Sequence, residues 1–174
     1  MTHLTIFEGP DGGGKTTAAK KYAQGTGAIY THMGPFPERT DDDLTQEYVN
    51  AMMPALLGRS HVVMDRSWIS EPIYGEVHRS GANRITPRAR GLLEMLARGL
   101  CDSLVVLCIP SYSTIRESFA RRKQIELLAD EAALMRVYDL YTRMETTLAI
   151  SKYNRDLSYD VFAAARSNRE NASC

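Results

Sequence analysis

Leu4-Thr5-Ile6-Phe7-Glu8-Gly9-Pro10-Asp11-Gly12-Gly13-Gly14-Lys15-Thr16-Thr17 decides how this chain folds. Leu4 to Phe7 is an apolar run of the kind that forms a strand buried on both faces. Lys15 to about Gln24 carries a helical pattern. Between them, Gly9 to Thr16 satisfies G-x-x-x-x-G-K-[ST] in full. Glycines let the backbone curl so that successive N–H groups point at phosphate oxygens. The following helix adds its positive end. Lys15 brings a point charge for the β- and γ-phosphates, and the Thr16 hydroxyl can ligate Mg²⁺. A plain glycine turn would need none of this context. Gly9, Pro10, Asp11, Gly12, Gly13, Gly14, Lys15, Thr16 and Thr17 are therefore the expected nucleotide cradle.

Outward from this loop, short apolar runs alternate with longer helical patterns, which predicts a parallel α/β sheet. Ala28 to Thr31, His61 to Met64 and Leu104 to Ile109 read as further strands, with Ala149 to Tyr153 as an edge strand. Gly34-Pro35-Phe36-Pro37 is a loop, because prolines deny backbone donors and helical geometry. Asp41-Asp42-Asp43 precedes a helix over Leu44 to Leu57, which Pro54 kinks or ends. Thr86-Pro87 opens another helix, with threonine as cap and proline in the first turn. Two more helices are expected at about Ser113 to Leu128 and Asp130 to Leu148.

With 174 residues, the chain matches one domain at about 100–200 residues per domain. It is expected over residues 1–165, with a polar, frayed tail at 166–174. Twenty-one basic residues balance twenty-one acidic ones, so no overall field attracts a polyanion, and nucleic-acid contact would need a local patch. Cys101, Cys108 and Cys174 form no CxxC pair, which points to a reduced, cytoplasmic setting. His3, His61 and His78 have no zinc-ligand spacing with them. No membrane span or export signal is expected.

Among phosphate-loop proteins, a GTPase would carry N-K-x-D, which is missing from the sequence. A motor would show an Asp-Glu pair after a later strand, whereas Val62-Val63-Met64-Asp65 is followed by Arg66. These absences favour a small kinase. Asp65, at a strand's carboxyl end, can hold Mg²⁺ through water or take a proton. Arg66 can grip a phosphoryl group in bidentate fashion.

The opening Phe7-Glu8-Gly9-Pro10-Asp11-Gly12-Gly13-Gly14-Lys15-Thr16-Thr17 resembles F-E-G-x-D-G-x-G-K-T-T of the thymidylate kinase family. Asp65-Arg66-Ser67-Trp68-Ile69-Ser70-Glu71-Pro72-Ile73-Tyr74 resembles that family's D-R-[YFH]-x-x-S-x-x-x-Y. The stretch Cys101-Asp102-Ser103-Leu104 with Ile109-Pro110 is a weaker echo of its P-D-L-…-D-V-P strand. The resemblance runs to about Leu148. It implies a three-layer α/β P-loop kinase, with a central parallel sheet flanked by helices and a short helical lid. It also implies ATP and Mg²⁺, with Asp11 facing the acceptor's sugar, Arg66 near its phosphoryl group, and Ser70 and Tyr74 lining its pocket. Ile115 to Gln124 falls at the family's lid, which makes Arg121 and Arg122 candidates for neutralising transition-state charge. A solvated basic face is the plainer reading of that run, and contact with a nucleic-acid backbone is a third. Phe36 and Tyr48 are candidates to stack on a pyrimidine acceptor, and both also suit a core.

Two departures bear on the acceptor. The family's R-E-P after the second strand is Thr31-His32-Met33-Gly34-Pro35 here, so the arginine that binds the acceptor monophosphate is missing. The glutamine after the pocket tyrosine is Gly75. Asp65-Arg66-Ser67 also resembles the E-R-S motif of deoxynucleoside kinases. A compact phage branch of the family phosphorylates 5-hydroxymethyluracil within DNA, and the trimmed acceptor region resembles that branch. The expected function is phosphoryl transfer to a pyrimidine deoxynucleotide, leaning to that hydroxymethyl group. Thymidylate and free deoxynucleosides are alternative acceptors, and a non-catalytic ATP-binding switch is the rival outside enzymes. The sequence leaves open whether the chain forms a homodimer.

Overall fold

In the computed structural model, residues 2–34, 39–100, 103–122, 130–157 and 160–166 are described. Five strands form one parallel sheet in the order β2-β3-β1-β4-β5. They are β1 (Leu4–Glu8), β2 (Ile29–His32), β3 (Val62–Asp65), β4 (Leu104–Cys108) and β5 (Ala149–Tyr153). Among the described residues, seven α-helices accompany them: α1 (Lys15–Thr26), α2 (Asp41–Leu56), α3 (Ser70–His78), α4 (Pro87–Arg98), α5 (Tyr112–Arg122), α6 (Glu131–Thr142) and α7 (Val161–Arg166). The expected three-layer α/β arrangement is borne out.

The three central strands are buried along their whole length, as continuous apolar runs in a doubly covered sheet must be. The edge strands β2 and β5 are partly exposed, and β5 takes the edge position expected for it. One apolar cluster joins the sheet to α2 and α4 through Leu44, Tyr48, Met52, Trp68 and Leu93. Another joins it to α1 and α7 through Phe7, Ala19, Tyr22, Val106 and Val161. A third, with Ile73, Ile115, Phe119, Leu134 and Tyr141, ties α3, α5 and α6 together.

Several element ends differ from expectation, each for a local reason. α2 starts at Asp41 rather than Leu44, because Thr40 and Asp43 form a reciprocal capping box that draws the acidic triplet into the first turn. α6 stops at Thr142 rather than Leu148. Beyond it, Glu94 of α4 takes the Thr146 hydroxyl and both the amide and hydroxyl of Thr147, which holds that segment out of a helix. α3 and α7 were not read from the sequence as helices.

β1 is the middle strand, hydrogen-bonded to β3 on one side and β4 on the other. The chain order reverses around it. Ligands of open α/β sheets bind at such a point, outside the carboxyl ends of the strands. The glycine loop leaves β1 there.

Candidate phosphoryl-transfer site

The loop after β1 depends on its glycines. Gly9, Gly12 and Gly14 have φ of 144°, 76° and 87°, a region that side chains avoid. A Cβ on Gly9 would overlap the Cys108 carbonyl oxygen, and one on Gly13 would lie 2.8 Å from it. The Gly13 amide closes the turn on the Pro10 carbonyl at 3.0 Å. Gly14 is the left-handed N-cap of α1 and has no side chain to compete for the helix's free amides. Thr16 and Thr17 follow in the first turn, both exposed.

Lys15 folds back over the loop. Its ammonium is buried and donates to the Pro10 carbonyl at 3.3 Å, with Asp11 Oδ1 at 3.5 Å. Arg66 approaches the same carboxylate from β3 and pairs with Asp11 Oδ1. The Tyr74 hydroxyl of α3 donates to Asp11 Oδ2 at 2.8 Å, and the Arg66 guanidinium lies 4.6 Å over the Tyr74 ring. Burial works against the Asp11 charge, but Arg66 and Lys15 outweigh it and hold the carboxyl below its usual range. Burial and the neighbouring Arg66 lower the Lys15 ammonium from its ordinary value, with Asp11, Asp65 and Glu8 opposing. Buried Lys15 and half-buried Arg66 thus share one small carboxylate. An incoming phosphate chain would relieve both.

Arg66 has φ of 74°, costly for a side chain this large. The next residues hold it there. Fully buried Glu8 accepts from Ser67 Oγ at 2.7 Å, Ser70 Oγ at 2.6 Å and Tyr141 Oη at 3.1 Å. The Arg66 amide meanwhile bonds to the Phe7 carbonyl at 2.9 Å. Glu8 therefore clamps the start of α3 to the end of β1. Burial raises its pKa, against the opposing hydroxyl bonds from Ser70 and Ser67 and the charge of Arg66.

Asp65 ends β3 with no exposed surface. Its Oδ2 accepts from Tyr30 Oη at 2.9 Å and pairs with His32 Nδ1 at 2.8 Å; both partners belong to β2. Its Oδ1 is buried without a hydrogen-bond partner. An orphaned carboxylate oxygen beside a phosphate loop, with the exposed Thr16 hydroxyl in α1, fits a hydrated divalent ion. Among the described residues, no group of three His, Cys, Asp or Glu side chains gathers to hold a metal unaided.

The structure thus brings Lys15, Asp11, Arg66, Tyr74 and Asp65 to one end of the sheet. Ser70 lies beneath them, its hydroxyl committed to Glu8 and Tyr141. Tyr48 is in the core, edge-on to Trp68 and bonded to Glu71 Oε1 at 3.3 Å. Arg121 is exposed on α5 and pairs with Glu117 at 3.4 Å. Phe36 and the Arg122 side chain lie outside the described residues. Sequence reasoning passed over Glu8 as a clamp and did not single out His32 as a partner of Asp65. The register that sets His32 beside Asp65 carries the second of these, and it follows once β2 and β3 are paired.

Among solved structures, the chain is similar to YorR from Bacillus subtilis in complex with phosphorylated GDP. The two are 18% identical with a TM-score of 0.74, over 95% of this chain and 92% of that one. It is similar to deoxyadenosine kinase from M. mycoides with bound dCTP, at 18% identity and a TM-score of 0.58 over 98% of both chains. A sugar kinase from Janibacter, solved unliganded, gives 16% and 0.55 over 100% of this chain and 99% of that one. No protein-family profile and no curated protein sequence matches. The chain has the α/β fold of the P-loop kinases.

Proposed function

We propose that this chain is an ATP-dependent kinase that phosphorylates a hydroxyl group of a pyrimidine deoxynucleotide, with 5-hydroxymethyluracil in DNA as the acceptor. The observation that carries the kinase reading is the Lys15–Asp11–Arg66 cluster at the mouth of the glycine loop, beside the unpartnered oxygen of Asp65. A nucleotide switch needs the loop. It does not need a second cation held from β3.

In this reading the loop amides and Lys15 hold the donor phosphates, and Arg66 stabilises charge on the transferring group. Arg121 or Arg122 of α5 adds to that stabilisation. Asp11, kept ionised by its two cations, orients the acceptor. A carboxylate, Asp65 or Asp11, takes the acceptor's hydroxyl proton. Thr16 would hold Mg²⁺ directly and Asp65 through water, and the ion would neutralise β- and γ-phosphate charge. The hydroxyl acceptor is supported at the end of β2. The stretch Thr31 to Pro35 lacks the arginine that the resembling family uses for an acceptor phosphate, and its His32 is bonded to Asp65. The free deoxynucleoside is the second reading, favoured by fold similarity to a deoxyadenosine kinase.

The test is incubation with γ-labelled ATP and three acceptors: DNA containing hydroxymethyluracil, thymidine and thymidylate. Label is expected in the DNA. Label only in thymidine supports the second reading, and label only in thymidylate overturns the hydroxyl acceptor. ATP binding without label in any pool overturns the kinase. Lys15→Ala is expected to abolish transfer, and unchanged turnover would contradict the cradle.

A further inference from the structure

After β5 the chain makes one 3-10 turn, Arg155–Leu157. β5 is the edge strand opposite the β2–β3 side from which Arg66 comes. Arg155 nevertheless reaches the glycine loop. A Cβ on Gly14 would lie 3.1 Å from its Cδ and 3.6 Å from a guanidinium nitrogen. Its Nη2 donates to the Ser118 hydroxyl of α5 at 2.6 Å, and Ser118 in turn lies over Gly12. Among the described residues, no carboxylate lies within ion-pair distance of Arg155, although the neighbouring Asp156 feels its charge. A guanidinium whose hydrogen bond goes to a neutral hydroxyl, beside the free amides of a helix start, can exchange that partner for an anion.

The two arginines approach the loop from opposite sides of the sheet. Arg66 shares its side with Asp65 and the acceptor end. Arg155 is therefore on the side of the donor that is retained after transfer. We propose that Arg155 is a donor-binding residue whose guanidinium exchanges the Ser118 hydroxyl for an oxygen of the donor's retained diphosphate. This rests on the reading that the loop binds a nucleoside triphosphate. It assigns a second arginine to a different part of the same ligand. Charge-assisted bonds of guanidinium to phosphate exceed those to a neutral hydroxyl, so the exchange favours binding.

The experiment is titration of the full chain and its variants with ADP and with inorganic pyrophosphate, alongside thermal melts. Arg155→Ala is expected to weaken both ligands by about tenfold, while Arg155→Lys recovers part of the loss. KM for ATP should rise with kcat changed less than twofold. Ser118→Ala should bind ADP at least as tightly as the unaltered chain, because it removes only the competing hydroxyl. ADP affinity unchanged in Arg155→Ala overturns the inference. So does a loss for ADP without a loss for pyrophosphate, which would mark a contact to the nucleoside. Ser118→Ala weakened as much as Arg155→Ala would show a brace between α5 and the loop, and overturns it too. An unaltered chain that binds neither ligand would overturn the nucleotide reading itself, and the inference with it.

Discussion

Arg66 is the residue on which the site turns. Its left-handed backbone costs about 1–2 kcal/mol. The surrounding bonds offset this: Ser67 and Ser70 are fixed on Glu8, and the guanidinium is fixed on Asp11 and Tyr74. Asp11 acts in the free protein as an internal anion for the two cations that would hold phosphate. Asp11→Asn removes that competitor and its repulsion of the donor, about 1 kcal/mol with the screening of bulk water, or about a fivefold lower Kd for ATP. Under the proposed function, transfer should fall in the same variant, because Asp11 is there assigned to orienting the acceptor. Tighter ATP binding without slower transfer would remove Asp11 from acceptor positioning. Glu8 gives a pH signature. Its folded pKa is raised above the ordinary 4.5, so the folded chain holds that proton more tightly than the unfolded one. Stability is therefore lost as pH rises from about 4.5 to the folded value, at up to about tenfold in the folding constant per pH unit. The Asp11 contribution has the opposite sign and is lost only as pH falls below 3.8. Glu8→Gln should flatten the first slope. Urea midpoints of the two proteins that move in parallel from pH 4.5 to 7 would contradict this.

At the scale of elements, legibility followed burial. β1, β3 and β4 are covered on both faces, so their sequences are mostly apolar, with Thr5 the one polar residue inside a run and Glu8 and Asp65 at strand ends. The glycine loop was legible because its backbone geometry admits so few residues. Gly9→Ala, with φ of 144° and the Cys108 carbonyl in the way, should cost about 3 kcal/mol or more and show in chemical denaturation. Thr40→Ala, which removes half a capping box, should cost only about 1 kcal/mol. α3 was hidden for a different reason. Ser70–His78 contains Pro72 and Gly75 and has no side-chain cap at its start. It is held by bonds from Ser70 to Glu8, from Tyr74 to Asp11 and from Arg79 and Arg84 to Glu71. Of these, Glu8 at the end of β1 and Asp11 in the glycine loop lie about sixty residues away, where local periodicity cannot see them. Arg155 is the extreme case: no local pattern ties a residue after the last strand to a loop near the first. His32 belongs between the two: it lies in the stretch that lacks the family's arginine and is assigned its partner only by strand register.

Over the whole molecule, the face of the sheet behind α1 supports the loop, and that face is closed by the last helix. Val161 and Ala165 of α7 are buried against Phe7, Tyr22 and Val106, and the Phe162 ring lies 5.5 Å from the Tyr22 ring. The same ring fills the space over Gly25 of α1, where a Cβ would collide with it. α7 is thus the outer wall of the layer that carries Lys15, Thr16 and Thr17. A chain ending at Asp160 would return the apolar surface of Val161, Phe162 and Ala165 to water and uncover part of Tyr22. At about 25 cal/mol per Å² this amounts to about 3–5 kcal/mol. For a domain of this size that lowers Tm by about 10 °C. The loss should reach the site, because an α1 that is free to shift no longer presents its first turn at a fixed distance from Arg66. ADP affinity is therefore expected to fall in the shortened chain even well below its Tm. A chain ending at Arg166 should melt and bind as the full-length protein does, if the domain closes at about residue 165. Equal Tm for the chain ending at Asp160 and the full chain would show that α7 contributes nothing to the layer behind the loop. A lower Tm with unchanged ADP affinity would show that the loop holds its shape without that layer.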